Sequence, residues 1–362
     1  MRNVSWRRCM LQDIRDKQLD FLLENCDTTI EHLLLSHSSH LTKSMSKGNL
    51  SDLLSLPSVR YWMESIPNQI NTQTVLGSSD GCFENAFGKL LSYGLTANEI
   101  VNEDLYKQCL AFISNHENKS IYDPIARQVV TSYLLASGYV NHILIDKAQV
   151  RVENLYQAVT KMIPDYNIYA DTKTLKIPKQ YKSKKLIHPQ LYEGNELVLP
   201  LIYDVYMFGV LYNITSIEVK EKIVTILDYI VNDKYQDLDY GYGIIRTPDN
   251  KFHSIGWSAH LPLYNKAQSE NYFKKGLIHR MGLFSKFNHH GIQTWLQNIL
   301  EAFEPYKLDG FKYCLPSELL PEIKNSYFMH GRHTGLNENR RKKSGKVIES
   351  TYYIYTATRY FR

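Results

Sequence analysis

The chain has 362 residues, of which 43% are hydrophobic and 22% charged, as is usual for a folded globular protein. Its net charge of +5 is too small for a dedicated nucleic-acid-binding domain, and five scattered cysteines without a C-x-x-C pair argue against a disulfide framework or a cysteine zinc site. The sequence contains no apolar run of about 18 residues that would predict a membrane span, so we expect a cytoplasmic protein with reduced thiols.

Apolar residues recur at helical spacing along most of the chain. In chain order, the pattern predicts helices over residues 12–25, 28–36, 57–66, 82–93, 103–114, 124–137, 152–163, 199–212, 219–233, 292–303 and about 350–360. Short connections favour antiparallel helix pairs, five or six in all. We therefore predict one all-α domain over residues 1–362, with a looser helical section over residues 1–70.

Two regions interrupt the helical pattern. Residues 164–198 contain three prolines and a basic run, which predicts a long loop that crosses a surface or covers an opening. Residues 240–262 alternate at period two around Thr247–Pro248–Asp249–Asn250, which predicts a β-hairpin with a type I turn. A hairpin cannot join helical packing, so we expect it to project from one rim, at the mouth of a cavity.

Four stretches carry a family resemblance: SSDGCFENAFGKLLSYGL (78–95), HPQLYEGNELVLPLIYDVYMFGVL (188–211), YGYGIIR…FHSIGWSAHLP (240–262) and GLNENRR…IESTYYIY (335–355). Their order resembles uncharacterised bacterial proteins grouped with the terpenoid cyclase and prenyltransferase-type α/α-toroid superfamily. The resemblance covers about 280 residues of the chain. It implies an α/α toroid of helix pairs, with inner helices lining a central cavity and often an apolar ligand there.

The catalytic motifs of that superfamily are missing from the sequence. The nearest run to a D-x-D-D acid motif is Asp237-Leu238-Asp239-Tyr240, and no D-D-x-x-D motif for diphosphate and magnesium occurs. His289 and His290 are adjacent, and adjacent helical residues do not face one ligand. We therefore predict neither a metal ion nor another cofactor, and the sequence leaves open whether the protein is an enzyme.

The candidate site combines the hairpin with neighbouring segments. The residues assigned to proton transfer are His253, His260 and Asp204, because histidines titrate near neutral pH and a carboxylate in an apolar helix face can act as a general acid. The residues assigned to ligand binding are Arg246, Trp257, Tyr242, Tyr203, Glu84, Arg332 and Arg340. The structural alternatives are a tryptophan that covers the core, histidines that are merely exposed, and loop cations that are solvated. For Asp204 the alternative is a position at the rim, paired with a tyrosine or arginine.

Three functions are compatible with these features. The first is an enzyme or binding protein for a hydrophobic or isoprenoid-like small molecule in a central cavity. The second is a non-enzymatic helical scaffold that binds another protein, with nucleic acid disfavoured by the modest net charge. The third is a sugar-active α/α-barrel enzyme, which the 27 tyrosines permit but no residue spacing supports.

Overall fold

The computed structural model of the protein describes residues 2–36, 43–172, 175–264 and 276–359, and within these ranges it describes side chains at 12–36 and from 49 onward. The α-helices are α1 (Arg2–Asn25), α2 (Thr28–Ser36), α3 (Lys43–Ser55), α4 (Pro57–Glu64), α5 (Thr72–Val75), α6 (Phe83–Ser92), α7 (Ala97–Ile100), α8 (Glu103–Ser114), α9 (Tyr122–Ala136), α10 (His142–Gln157), α11 (Ile202–Ile214), α12 (Ile217–Ile230), α13 (Asp233–Gln236), α14 (Leu277–Phe284), α15 (His290–Phe303) and α16 (Lys343–Thr358). A π-helical turn follows α10 at Ala158–Met162. Short 3-10 turns occupy Lys179–Tyr181, Pro189–Asn195, Glu304–Tyr306, Ser317–Leu319 and Phe328–His330.

The strands form two small antiparallel pairs. They are β1 (Gly243–Arg246) with β2 (Phe252–Ile255), and β3 (Lys307–Leu308) with β4 (Lys312–Tyr313). The predicted all-α class is therefore confirmed in its coarse form, as a mostly helical chain. The expectation of a single inserted hairpin is wrong, because β3 and β4 form a second pair that is too short to give a period-two signal in the sequence.

Contacts divide the chain into two compact units. Unit 1 consists of residues 1–68, 77–101 and 262–362, and unit 2 of residues 69–76 and 102–261. The prediction of one domain over the whole chain stays a prediction.

In unit 1, α16 packs against α1, α14 and β4. Its hydroxyl side chains bind the chain that leaves β4: Thr351 Oγ1 accepts from the backbone N–H of Tyr313, and Ser350 Oγ accepts from that of Leu315, both at 3.0 Å. These two bonds explain why α16 can place the hydroxyl groups of Ser350 and Thr351 in the interior.

In unit 2, α9 packs against α11 and α10 packs against α12. The consecutive helices α9 and α10 are also in contact, as are α11 and α12. Helix α11 is apolar on nearly every side, and most of its residues are buried, which is the pattern of a central helix. Alternate helices in contact form two layers, with α9 and α11 in one layer and α10 and α12 in the other.

The first strand of the hairpin, β1, is packed into the interior of unit 2. Main-chain hydrogen bonds of 2.8 and 2.9 Å join Ile244 to Ile187 and Lys185, so the predicted loop 164–198 supplies a third extended segment beside β1. The side chains of Ile244 and Ile245 are fully buried. The loop therefore covers the open edge of β1, and the placement of the hairpin at a rim stays a prediction. Residues 173 and 174 of that loop lie outside the described residues.

Candidate functional site

A cavity of about 310 Å³ opens in unit 2 between α8, α9, α10 and the segment that precedes α11. Side chains that can form hydrogen bonds make up much of its wall. These polar side chains include Asn115, His116, Arg127, Lys147, Asn154 and Glu196. A volume of this size lies at the lower end of the range of about 300–1,000 Å³ that is typical of small-molecule sites.

Arg127, on α9, contributes the first positive charge of the wall. Its guanidinium donates to the main-chain carbonyl of Glu117 at 3.3 Å and to the side-chain oxygen of Asn118. Burial lowers the pKa of Arg127, and the carboxylates of Asp123 and Glu196 act in the opposite direction. Neither carboxylate forms an ion pair with Arg127. Because an arginine side chain stays protonated in proteins, this group brings a full positive charge to the cavity.

Lys147, on α10, contributes the second positive charge. Its ammonium donates to Nδ1 of His116 at 3.4 Å, and no ion pair involves it within the described ranges. The one carboxylate of the wall, Glu196, is exposed and accepts from the amide of Asn154 at 3.3 Å. The cavity wall therefore carries more positive than negative charge.

Arg151 and Asp204 form a buried ion pair beside the cavity. Arg151 donates from Nε and Nη2 to the two carboxylate oxygens, each at 2.9 Å, and from its terminal nitrogens to the carbonyls of Leu197 and Leu199. Asp204 also accepts from the N–H of Leu201 at 2.7 Å. Burial alone would lower the pKa of Arg151, but the carboxylate outweighs it and the pKa is raised. The pair thus neutralises itself and ties the segment before α11 to α10.

Asp204, predicted as a proton-transfer residue, is fully buried and occupied by this pair. The structure shows the arginine partner of the structural alternative, and it places Asp204 at full burial. Tyr203, predicted to bind a ligand, is also fully buried, and its ring meets that of Tyr133 edge-on at 5.7 Å.

His260, the second residue predicted for proton transfer, is buried in a hydrogen-bonded cluster. Its Nε2 donates to the carbonyl of Leu238 at 3.0 Å, and its Nδ1 forms a hydrogen bond of 2.8 Å with Ser258 Oγ. Ser258 Oγ in turn accepts from the N–H of Gly241. These bonds use both ring nitrogens to hold the chain after the hairpin.

Tyr242 lies in the same cluster, with its ring 6.1 Å from that of His260. Its hydroxyl donates to the carbonyl of Pro200, so it must accept from the hydroxyl of Tyr235, 2.7 Å away. Tyr235 accepts in turn from the N–H of Ala259 at 3.0 Å. Burial raises the pKa of Tyr242 well above its usual value, so the phenol stays protonated.

The remaining predicted residues of the hairpin lie nearer the surface. The rings of His253 and Trp257 both meet Tyr122 edge-on, at 5.5 and 6.0 Å, so the structure brings these two residues together. Arg246 donates to the side chain of Asn250 at 2.5 Å across the hairpin turn. None of the predicted hairpin residues is part of the described lining of the cavity, and their catalytic or binding roles stay predictions.

The other three predicted residues belong to unit 1. Glu84 is fully buried on α6, and Arg332 is half-buried. Arg340 forms ion pairs with Glu349 at 3.2 Å and Glu322 at 3.6 Å. Arg340 is thus part of a charged network within unit 1.

Lys89, on α6, is the buried centre of that network. Its ammonium donates to Glu322 at 3.2 Å and to the carbonyls of His333 and Gly335 at 3.0 and 2.5 Å. Burial alone would raise the pKa of Glu322, but Lys89 and hydrogen bonds from His333 and Gly335 lower it to about 2. The network fixes the segment 320–340.

Asp80 lies near this network, just before α6. It is not the cap of that helix, because Cys82 is the N-cap residue and has no side-chain cap hydrogen bond. The carboxylate of Asp80 instead accepts from the N–H of Asn325 at 2.6 Å and from the hydroxyl of Tyr61 at 2.8 Å. Asp80 therefore holds the same segment as Lys89 does.

Sequence reasoning missed Arg127 and Lys147. Both stand on the polar sides of amphipathic helices, where a cation is indistinguishable from a solvated surface residue. The signal that was available is Arg151, which stands at helical spacing from the buried Leu144 and Ala148 and therefore required a buried acceptor.

Comparison of the chain with family models, curated proteins and solved structures finds no match. The resemblance to the α/α-toroid superfamily therefore stays a prediction. In the part of the chain that the structure describes, no helix is long and apolar enough to cross a membrane. Histidine, cysteine and carboxylate side chains there form no group of three or more that could hold a metal ion.

Proposed function

We propose that the cavity of unit 2 binds a small polar molecule that carries an oxyanion, such as a carboxylate, phosphate or sulfate group. Arg127 and Lys147 would pair with the oxyanion, and Asn115 and Asn154 would supply hydrogen bonds to the rest of the ligand. The observation that carries this proposal is a cavity wall with two cations that form no ion pair among the described residues.

The balance of charge supports an anionic ligand. Arg151 adds no net charge because Asp204 neutralises it, and the positive charges of Arg127 and Lys147 exceed the single negative charge of Glu196. Arg127 is partly withdrawn from water, and a cation in that position gains more from an anion than an exposed cation does. A charge-assisted hydrogen bond to an oxyanion is about twice as strong as a neutral one.

The polar wall favours such a ligand over an apolar one. A hydrophobic or isoprenoid-like ligand, a protein partner and a sugar substrate, each expected from the sequence, stay predictions. The proposal concerns binding, and it assigns no bond-breaking step to the residues of the cavity.

The toroidal arrangement is part of the proposal in a limited form. We propose that α9 with α10 and α11 with α12 are successive pairs of an α/α-toroid plan. The contacts of α9 with α11 and of α10 with α12 support it, since inner helices of such a plan touch the next inner helices and outer helices the next outer ones.

The binding proposal is tested by calorimetric titration with inorganic phosphate, pyrophosphate and citrate. We expect the wild type to bind at least one of the three, and Arg127→Met and Lys147→Met each to weaken that binding roughly 10–100-fold, the loss expected for one charged hydrogen bond of about 1.5–3 kcal/mol. Lys182→Met is the matched control, because it removes an exposed lysine of the same unit from outside the cavity wall.

Two results would overturn the proposal. One is the absence of binding for all three probes, and the other is an equal loss of affinity in the control and in the two cavity variants, which would indicate nonspecific attraction by net charge.

A further inference from the structure

A second buried arginine, Arg280 on α14 of unit 1, has a guanidinium edge without an acceptor. Its side chain is fully buried. Nη1 donates to the carbonyl of Met329 at 2.5 Å and to Nδ1 of His279 at 2.8 Å. Within the described ranges, Nε and Nη2 have no hydrogen-bond acceptor, and no carboxylate forms an ion pair with Arg280.

The buried arginines Arg151 and Arg280 differ in whether the edge formed by Nε and Nη2 has an acceptor. Arg151 uses the edge formed by Nε and Nη2 to hold both oxygens of Asp204, each at 2.9 Å. In Arg280 the same edge, which fits a carboxylate or phosphate with two parallel N–H bonds, is unused. An uncompensated buried cation is strongly unfavourable, so a fold that retains one requires an anion from another source.

We propose that the Nε–Nη2 edge of Arg280 binds a small oxyanion, of the phosphate, sulfate or carboxylate class, within unit 1. This site is separate from the cavity of unit 2 and does not depend on the function proposed for it.

The groups around Arg280 favour an anion. Because an arginine only donates, Nδ1 of His279 must accept from it, and the neutral ring then carries its hydrogen on Nε2, as a further donor. Burial lowers the pKa of His279 well below its usual value, and Arg280, His330 and Lys286 lower it further. The groups that shift this pKa thus include cations or potential cations and no carboxylate.

Two glycines fix the position of the site. Gly276 and Gly331 both have positive φ, of 81° and 63°, and a Cβ on Gly331 would lie 2.5 Å from Cα of Gly276. The start of α14 therefore presses directly on the turn that contains Met329 and His330. This contact places the carbonyl that binds Nη1 and leaves the other edge of Arg280 to the ligand.

Thermal unfolding in inorganic phosphate, against chloride at matched ionic strength, tests the proposal. We expect the Tm of the wild type to rise by about 3–5 °C for each tenfold increase in phosphate above its dissociation constant. Arg280→Met should lose this dependence and keep the small general stabilisation that phosphate gives to folded proteins. Arg332→Met, which removes a half-buried arginine of the same unit, is the matched control and should behave as the wild type.

The double variant R127M/K147M separates this site from the cavity, and it should keep the phosphate dependence. If Arg280→Met responds to phosphate as the wild type does, the proposal is wrong. If Arg280→Met does not fold, a second measurement decides. R127M/K147M is equilibrated with phosphate, desalted and denatured, and the released phosphate is measured by ion chromatography. About one equivalent supports the site, and no phosphate overturns it.

Discussion

Replacing Asp204 by asparagine tests whether this residue is structural or catalytic. The substitution keeps the size of the side chain but removes the charge that compensates Arg151, which is itself 8% exposed. Removing one partner of a buried ion pair costs about 3–5 kcal/mol, because the other charge remains buried. For a unit of this size, that loss corresponds to a fall in Tm of about 6–20 °C. A catalytic aspartate without a structural role would leave Tm almost unchanged.

The assay is urea unfolding followed by circular dichroism, with hydrogen exchange to assign the loss to unit 2. Arg151→Met and the double variant R151M/D204N complete a double-mutant cycle. We expect the sum of the stability losses in the two single variants to exceed the loss in the double variant by at least about 2 kcal/mol, since the two residues act as one unit. Additive losses, or an unfolding free energy of Asp204→Asn within about 0.5 kcal/mol of the wild type, would refute the reasoning.

Four further predictions concern particular side chains. Lys89→Met should lower the unfolding free energy by about 2–4 kcal/mol in urea titrations, since two buried carbonyls and a carboxylate lose their donor; a loss below about 0.5 kcal/mol contradicts this. Because the pKa of Glu322 is lowered to about 2 from 4.5, the contribution of this carboxylate to stability should be complete above about pH 4.5 and lost as the pH falls to about 2. In Lys89→Met the same contribution should be lost at higher pH. Unchanged acid unfolding in that variant would count against the network. Tyr242→Phe should cost about 1–3 kcal/mol in the same urea assay through its two lost hydrogen bonds, and a neutral change would show that the buried hydroxyl is dispensable. Gly331→Ala should lower Tm more than alanine at the unobstructed Gly310, because its Cβ would meet the backbone of Gly276; an equal effect would deny that close contact.

Local patterns predicted the helices well where packing follows the sequence. The helix expected over residues 103–114 runs from Glu103 to Ser114, and the turn Thr247–Asn250 closes the predicted hairpin. Helix α14 was missed because eight residues give too few repeats to reveal a period. The covered edge of β1 was also missed, because its neighbour, residues 185–187, is distant in the chain and follows a basic run.

The candidate sites depended on information that the sequence lacks. A histidine such as His260 looks like an exposed, reactive group in a sequence, and only the structure shows that it is buried with both ring nitrogens hydrogen-bonded. Arg127 and Lys147 look like ordinary surface cations until the backbone places them on one cavity wall. Arg280 is conspicuous only once its burial and its missing acceptor are known together.

The most direct test of the proposed ligand site is a crystal structure of the protein soaked with selenate, an oxyanion that can be located by its anomalous scattering. We expect an anomalous peak in the cavity of unit 2, within hydrogen-bonding distance of Arg127 or Lys147 and absent from crystals of R127M/K147M. A cavity without selenate, in crystals where the anion is bound elsewhere on the protein, would contradict the proposal.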